Sequence, residues 1–230
     1  MSIQSYQVSS QPDSPERSVA ARDPKGAAAR CLAYAVMSDL MSSPHDVTSA
    51  VRDSDQSIDL SDLPFEVPGI RRLIEDYRAA NIDELKRAYS SMFEVGSDGP
   101  PVPVREDLQL GQKAGVREEL VRFYEYFGYE LSEKFAWAPD HLSTELEFMH
   151  YLTYGEAVAL SDGKDPESFQ LAQADFIERH LANWVPKLVH EVQEQNEESF
   201  FCRVVVTLNN FLAADYEWQN STITTMEASS

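Results

Sequence analysis

The sequence predicts an all-α protein, a globular bundle of about seven to nine helices resembling no sheet-based architecture. Apolar residues recur at three- and four-residue spacing in one segment after another. Helix stop and start signals such as Gly128, Asp162-Gly163 and Asp165-Pro166 separate these segments. Runs alternating with period two across hairpin turns do not occur. At 230 residues and 43% hydrophobic content, the chain can bury a real core as one domain or two small ones.

The first helix runs from about Lys25 to Met41. Ala28, Cys31, Leu32, Ala35, Val36 and Leu40 give it the wide apolar face of a buried helix, and Ser42-Ser43-Pro44 ends it. Residues 45–67 are polar, with room for a short helix. Ile70, Leu73, Ile74 and Tyr77 mark the next. Asn81 with Glu84 three residues on reads as a capping box, opening a helix striped by Leu85, Ala88, Tyr89 and Met92. Residues 96–104, Gly-Ser-Asp-Gly-Pro-Pro-Val-Pro-Val, cannot continue a helix. They are either a hinge between two halves, which would permit domain exchange, or a surface loop inside one domain.

Val116, Leu120, Phe123, Tyr124 and Phe127 stripe the next helix, with Gly128 as its stop. Asp165-Pro166 opens a helix carrying Phe169, Ala172, Phe176, Ile177 and Leu181. Pro186 is expected to open another with Leu188, Val189 and Val192, and a last helix holds Phe200, Phe201, Val204, Val205, Leu208, Phe211 and Leu212. Residues 1–24 and 219–230 are polar and expected as disordered tails around one domain at 25–218.

The formal net charge of −20 excludes the basic face that nucleic acid needs, and suits solubility or a basic partner. Cys31 and Cys202 belong to no Cys-x-x-Cys pair and read as small buried hydrophobes. The N-terminal residues lack the apolar core of a signal peptide, and no run approaches the ~18 apolar residues of a spanning helix. The expectation is a cytoplasmic protein without stable membrane insertion.

The stretch Trp137 to Leu152 stands out. Pro139 keeps Ala138 out of helix, and Asp140 is expected to cap the helix that follows. As a cap, Asp140 would tolerate Asn. Leu142, Leu146, Met149 and Leu152 carry the helical stripe, with Glu145 one turn after His141 on the same face. Adjacent Asp140 and His141 suit acid–base work, but such a pair at a cap is more often structural. Glu147-x-x-His150 is half of a di-iron motif whose other half is missing. His141, Glu145, Glu147 and His150 define the alternative reading, a small acidic metal-binding enzyme. His45, His180 and His190 are scattered and expected at the surface. Gly-rich phosphate loops and Gly-x-Ser-x-Gly elbows are lacking.

Phe123-Tyr-Glu-Tyr-Phe-Gly128, Ala138-Pro-Asp-His-Leu142 and Glu145-Leu-Glu-Phe-Met149 together resemble the TorD/DmsD/NarJ family of molybdoenzyme-specific chaperones. Leu85-Lys-Arg-Ala-Tyr89-Ser-Ser-Met-Phe93 resembles the family's Tyr-x-x-Leu-Phe segment, with Met92 replacing leucine. Within the family, the tract His141 to Glu156 is most similar to the assembly proteins of the ethylbenzene dehydrogenase, dimethylsulfide dehydrogenase and selenate reductase group.

The resemblance implies an all-helical cytoplasmic chaperone, not an enzyme and without a cofactor of its own. It would bind the immature catalytic subunit of a molybdenum oxidoreductase, often through its twin-arginine leader. It would assist insertion of the molybdopterin cofactor and delay export, with cofactor-biosynthesis proteins as further partners. Pro139, Asp140, His141, Glu145, Tyr89 and Phe93 are the residues it carries over. From Glu106 to Glu147 the chain has ten acidic against four basic residues, beside Tyr124, Tyr126, Phe127, Tyr129, Phe135 and Trp137. An acidic rim with aromatic pockets suits a basic, apolar leader, so Tyr124 and Trp137 join the expected partner-binding residues.

Overall fold

The computed structural model describes residues 16–45, 49–53, 57–97, 99–131 and 138–226. In chain order these form β1 (Glu16–Val19), α1 (Pro24–Met41), α2 (Ala50–Asp53), α3 (Ile70–Ala79), α4 (Ile82–Phe93), α5 (Glu106–Gln109) and α6 (Val116–Phe127). Then follow α7 (Leu142–Ser161), α8 (Glu167–Phe176), a π-helical turn (Ile177–Leu181), α9 (Ala182–Asn196), α10 (Phe200–Thr222) and β2 (Ile223–Met226). The expected all-helical bundle is what the chain forms, with one two-stranded sheet added.

The local signals act as chemistry requires. Asp23 caps α1 and Pro24 takes its first position; Asn81 accepts from the Asp83 and Glu84 N–H groups; Ser199 Oγ accepts from Phe201 N–H. Gly128 ends α6 at φ 68°, in left-handed backbone that costs glycine nothing.

The central pair is α1 and α7, packed antiparallel. Ser38 Oγ donates to Ser143 O at 2.9 Å near one end, and Arg30 meets Glu156 at 2.9 Å near the other. Around this pair one buried apolar cluster runs from Ala33 to Leu212. Val102 and Val104 belong to it, and Val102 N–H donates to Met92 O at 3.0 Å. The Pro-rich segment is therefore anchored in the core at its C-terminal end.

Two expectations change here. Residues 16–23 and 219–226 are not loose tails. β1 pairs antiparallel with β2, from Glu16 opposite Met226 to Val19 opposite Ile223, and α10 continues to Thr222. Side-chain anchoring explains why: Arg17 grips Asp175 with two bonds of 2.7 and 2.8 Å, and the buried Arg22 reaches Glu156 at 3.1 Å. Residues 1–15 and 227–230 lie outside the described residues.

Pro186 does not open a helix; it sits inside α9. Proline cannot donate to the carbonyl one turn back. The π-turn just upstream changes the hydrogen-bond register, with Ala182 N–H reaching Ile177 O. Asn183 Nδ2 then covers the carbonyls of Glu178 and Arg179 at 3.1 and 2.7 Å. No described helix is long and apolar enough to cross a membrane.

Candidate functional site

The turn Ala138–His141 is stitched to the start of α5 from both sides. Leu142 N–H donates to Val104 O at 3.0 Å, and Glu106 N–H donates to Asp140 O at 2.9 Å. Arg105 and His141 form an isolated antiparallel bridge. Tyr124 of α6 reaches over to donate its hydroxyl to Pro139 O at 2.7 Å.

Asp140 does not cap α7. His141 is the cap, its Nδ1 accepting from Ser143 N–H at 3.2 Å. The Asp140 carboxylate is fully buried and turned the other way. It takes Arg105 Nε at 3.2 Å and Nη2 at 3.0 Å, and Arg117 Nε lies at 3.5 Å. It also accepts from Asp107 N–H at 3.4 Å, on the first turn of α5. Burial pushes its pKa up, but the hydrogen bonds from Asp107 and Arg105 and the Arg105 charge outweigh that and hold it below the usual range. Asp107 is pushed up, by burial and then by Asp140.

Beneath the turn lies a second, drier layer. Glu145 is fully buried and accepts from the Trp184 indole N–H at 3.3 Å. Burial, then the nearby Glu106, pushes its pKa well above the carboxylate range. Glu106 is buried too, both oxygens set against His180 Nδ1 at 2.9 and 3.1 Å. His180, expected at the surface, is only 1% exposed. Phe123 and Phe176 flank its ring and the π-turn carries it inward. Glu106 and His180 escaped the sequence reading because they are 74 residues apart and share no motif.

Tyr124, Pro139, Asp140, His141 and Glu145 thus come together, with Asp140, Glu145 and Pro139 buried and His141 half-buried. Tyr89 and Phe93 do not join them. They are 1% and 4% exposed, packed edge-on with each other and Phe201, so they are core rather than partner-facing. Tyr124, at 2% exposed, supports the turn rather than presenting a surface. Trp137 lies outside the described residues. Three acids counted toward the rim, Glu106, Asp140 and Glu145, are buried; Glu118, Glu125, Glu130 and Glu147 remain exposed.

The metal alternative finds no assembled ligand set. His150 Nδ1 contacts Cys31 O at 3.0 Å and Sγ at 3.3 Å, Glu147 faces solvent, and Glu145 faces Trp184. Among the described residues, no group of three or more His, Cys, Asp or Glu could hold a metal ion. Cys31 and Cys202 are free and buried, as expected.

A further charged cluster locks α1, α7, α8 and α10 together. Arg30, fully buried, meets Asp215 at 2.6 Å, Glu156 at 2.9 Å and Gln173 at 2.7 Å. Tyr34 donates to Asp215 at 2.6 Å, and Arg22 joins above the Trp218 ring at 4.6 Å. Burial raises the Glu156 pKa, and Arg30 and Arg22 more than reverse it. Charges stranded in apolar stripes, such as Arg30 in line with Ala27, Ala33 and Tyr34, were the signal that could have revealed it.

Residues 60–190 match the family described as nitrate reductase delta subunit, a span that contains the turn and the layer beneath it. The match covers more than half the chain, and the chain belongs to that family. The resemblance drawn from the Pro-Asp-His and Glu-Leu-Glu-Phe-Met segments holds.

The chain is 43% identical over 108 residues to the selenate reductase assembly chaperone protein of Thauera selenatis, covering 46% of this chain and 55% of that protein. It is 41% identical over 106 residues to the chlorate reductase assembly chaperone protein of Ideonella dechloratans, covering 45% and 55%. The perchlorate reductase assembly chaperone protein of Dechloromonas aromatica (strain RCB) is 31% identical over 139 residues, covering 60% and 62%. The matched part spans between one half and two thirds of the length of these relatives.

Proposed function

We propose that this protein is a cytoplasmic assembly chaperone for a molybdenum oxidoreductase. It binds the immature catalytic subunit, with the twin-arginine leader as one contact. It holds that subunit open for insertion of the molybdopterin cofactor and delays export until loading is complete. The observation that carries this reading is the family match across residues 60–190, joined to relatives named as assembly chaperones of selenate, chlorate and perchlorate reductases.

The geometry is in keeping with it. The turn is held by protein groups on its inner side, so its outer side can meet a partner without rearranging the fold. His141 is the member of the Pro139-Asp140-His141 trio with exposed surface. Exposed Glu118, Glu125, Glu130 and Glu147 give the region an acidic character that suits a basic leader.

The test is capture of tagged protein from its native host. The expected result is recovery of a large molybdoenzyme subunit, predominantly without its cofactor, and the same capture would reveal any cofactor-biosynthesis protein as a further partner. Failure to recover such a subunit, together with stoichiometric iron or manganese in the purified protein, would overturn the reading in favour of a metal enzyme.

A further inference from the structure

The Ala138–His141 turn hangs on two residues whose backbones hold it and whose side chains leave it. Glu106 gives its backbone N–H to Asp140 O at 2.9 Å, while its carboxyl group runs inward to His180 Nδ1. Glu145 gives its backbone N–H to His141 O at 3.0 Å, while its carboxyl group runs inward to Trp184. Both side chains end on one stretch, the π-turn and the first residues of α9. π-turns inside helices are rare and occur frequently at functional sites.

Each side of this layer leaves an atom unmet. Glu145 Oε1 and His180 Nε2 are buried without a hydrogen-bond partner among the described residues. Leaving such groups dry costs stability, and each calls for an explanation.

The charges facing this layer come from every element around it. Glu106 enters from α5, Glu145 from α7 and His180 from the π-turn. Tyr124 of α6 is committed to Pro139 O. Asp107 and Asp140 lie on the outer side with Arg105, and Arg117 of α6 approaches Asp140. Of the two inner carboxyl groups, Glu106 meets His180 and Glu145 meets only the Trp184 indole, while the arginines are turned to Asp140. Two carboxylates at one dry site cannot both ionise cheaply. Burial and then Glu106 push the Glu145 pKa well above the usual carboxylate range.

We propose that Glu106, Glu145 and His180 are positioning residues for the turn, and that protonation of the buried Glu145 carboxyl, which has one indole donor and one unmet oxygen, controls its geometry. With the proton in place, α5 and α7 sit together and the carbonyls of Asp140 and His141 stay where they are held. Loss of a proton from Glu145 to solvent leaves an unpaired buried charge beside the Glu106–His180 pair. The repulsion separates α5 from α7, and the two backbone hydrogen bonds deliver the movement to the turn. The meaning of the turn as a partner-binding element rests on the function proposed above; the proton coupling does not.

The coupling is tested on the free, full-length protein. Amide signals of Glu106, Asp140, His141 and Leu142 are followed in 1H–15N spectra from about pH 5 to about pH 9, above the ordinary carboxylate range. The expected result is a common transition of all four, lost in Glu145→Gln and shifted in His180→Gln. Absence of a common transition, or its survival in Glu145→Gln, overturns the proposal.

If Glu145→Gln does not fold, hydrogen exchange in the parent decides. Exchange at the Glu106 and Leu142 amides must then accelerate with pH more steeply than at Leu208 in α10, and equal slopes overturn the proposal. A failed capture of a molybdoenzyme subunit would leave the coupling standing. A flat titration would leave the chaperone reading standing.

Discussion

At the scale of single residues, Asp140 shows what a sequence can and cannot disclose. An aspartate before an apolar helix reads as a cap, yet the cap is His141 and the carboxylate faces Arg105. That pairing spans 35 residues and no local pattern encodes it. The consequence for mutagenesis reverses. Asp140→Asn would be mild at a cap; here it leaves Arg105 with half a partner and should cost about 1–3 kcal/mol in urea unfolding, less than a fully dry pair because Arg105 is partly wet. His141→Gln should cost no more than about 1 kcal/mol and yet weaken client capture, since its ring is the exposed member of the turn. Capture by His141→Gln at parental strength would move the binding surface elsewhere.

Glu145 gives a pH dependence with a definite sign. Its folded pKa is raised, by burial first and Glu106 second, so the folded state keeps a proton that the unfolded chain releases near 4.5. Its contribution to stability is full below that value and falls as pH rises toward the folded pKa. Urea midpoints of parent and Glu145→Gln should therefore converge or cross in the variant's favour above about pH 5. Parallel profiles would show that Glu145 is ionised when buried.

At the scale of elements, periodicity and caps disclosed most of the helices, because those signals are local. α3, α4, α6 and α10 begin or end close to where Ile70, Asn81, Gly128 and Phe200 place them. What stayed hidden depends on distant contacts. Pro186 reads as a helix start, but it sits inside α9, shortly after the π-turn. Arg30 is stranded in an apolar stripe because Glu156 and Asp215, from α7 and α10, come to meet it.

Gly155 is a quieter case, a glycine in mid-helix that lets α8 come close. A Cβ there would stand 2.4 Å from Phe169 Cε1. Overpacking costs about 1–3 kcal/mol, against a gain of about 1 kcal/mol from replacing glycine in a helix. Gly155→Ala should therefore destabilise by up to ~2 kcal/mol in denaturant unfolding, and Phe169→Leu in the same chain should recover part of it. A stabilised Gly155→Ala would mean that the Phe169 ring swings aside freely.

At the scale of the whole molecule, composition indicated a soluble acidic body, and the family resemblance pointed to its class. The net −20 charge is unevenly spent: Glu106, Asp140 and Glu145 around the turn are buried, as Glu156 and Asp215 are at the Arg30 cluster, so the surface near the turn is less acidic than the raw sequence suggests. Binding of a synthetic twin-arginine leader should still weaken as salt rises from low ionic strength to about 0.5 M, through the exposed glutamates around α6 and α7. Affinity unchanged over that range would leave an apolar mode of recognition.

The short sheet has a consequence for folding kinetics. Arg22 and Thr222 are separated by 200 positions and the β1–β2 pairs by at least as many, so closing the strap early would carry a large loop entropy. The β1–β2 strap must then close after α8 and α10 have docked, beyond the rate-limiting barrier. Arg17→Ala combined with Arg22→Ala should speed unfolding in stopped-flow chevrons and leave the refolding limb where it was. Slower refolding would instead place the strap in the nucleus. On this argument the strap governs how long a folded molecule lasts, not how quickly it forms.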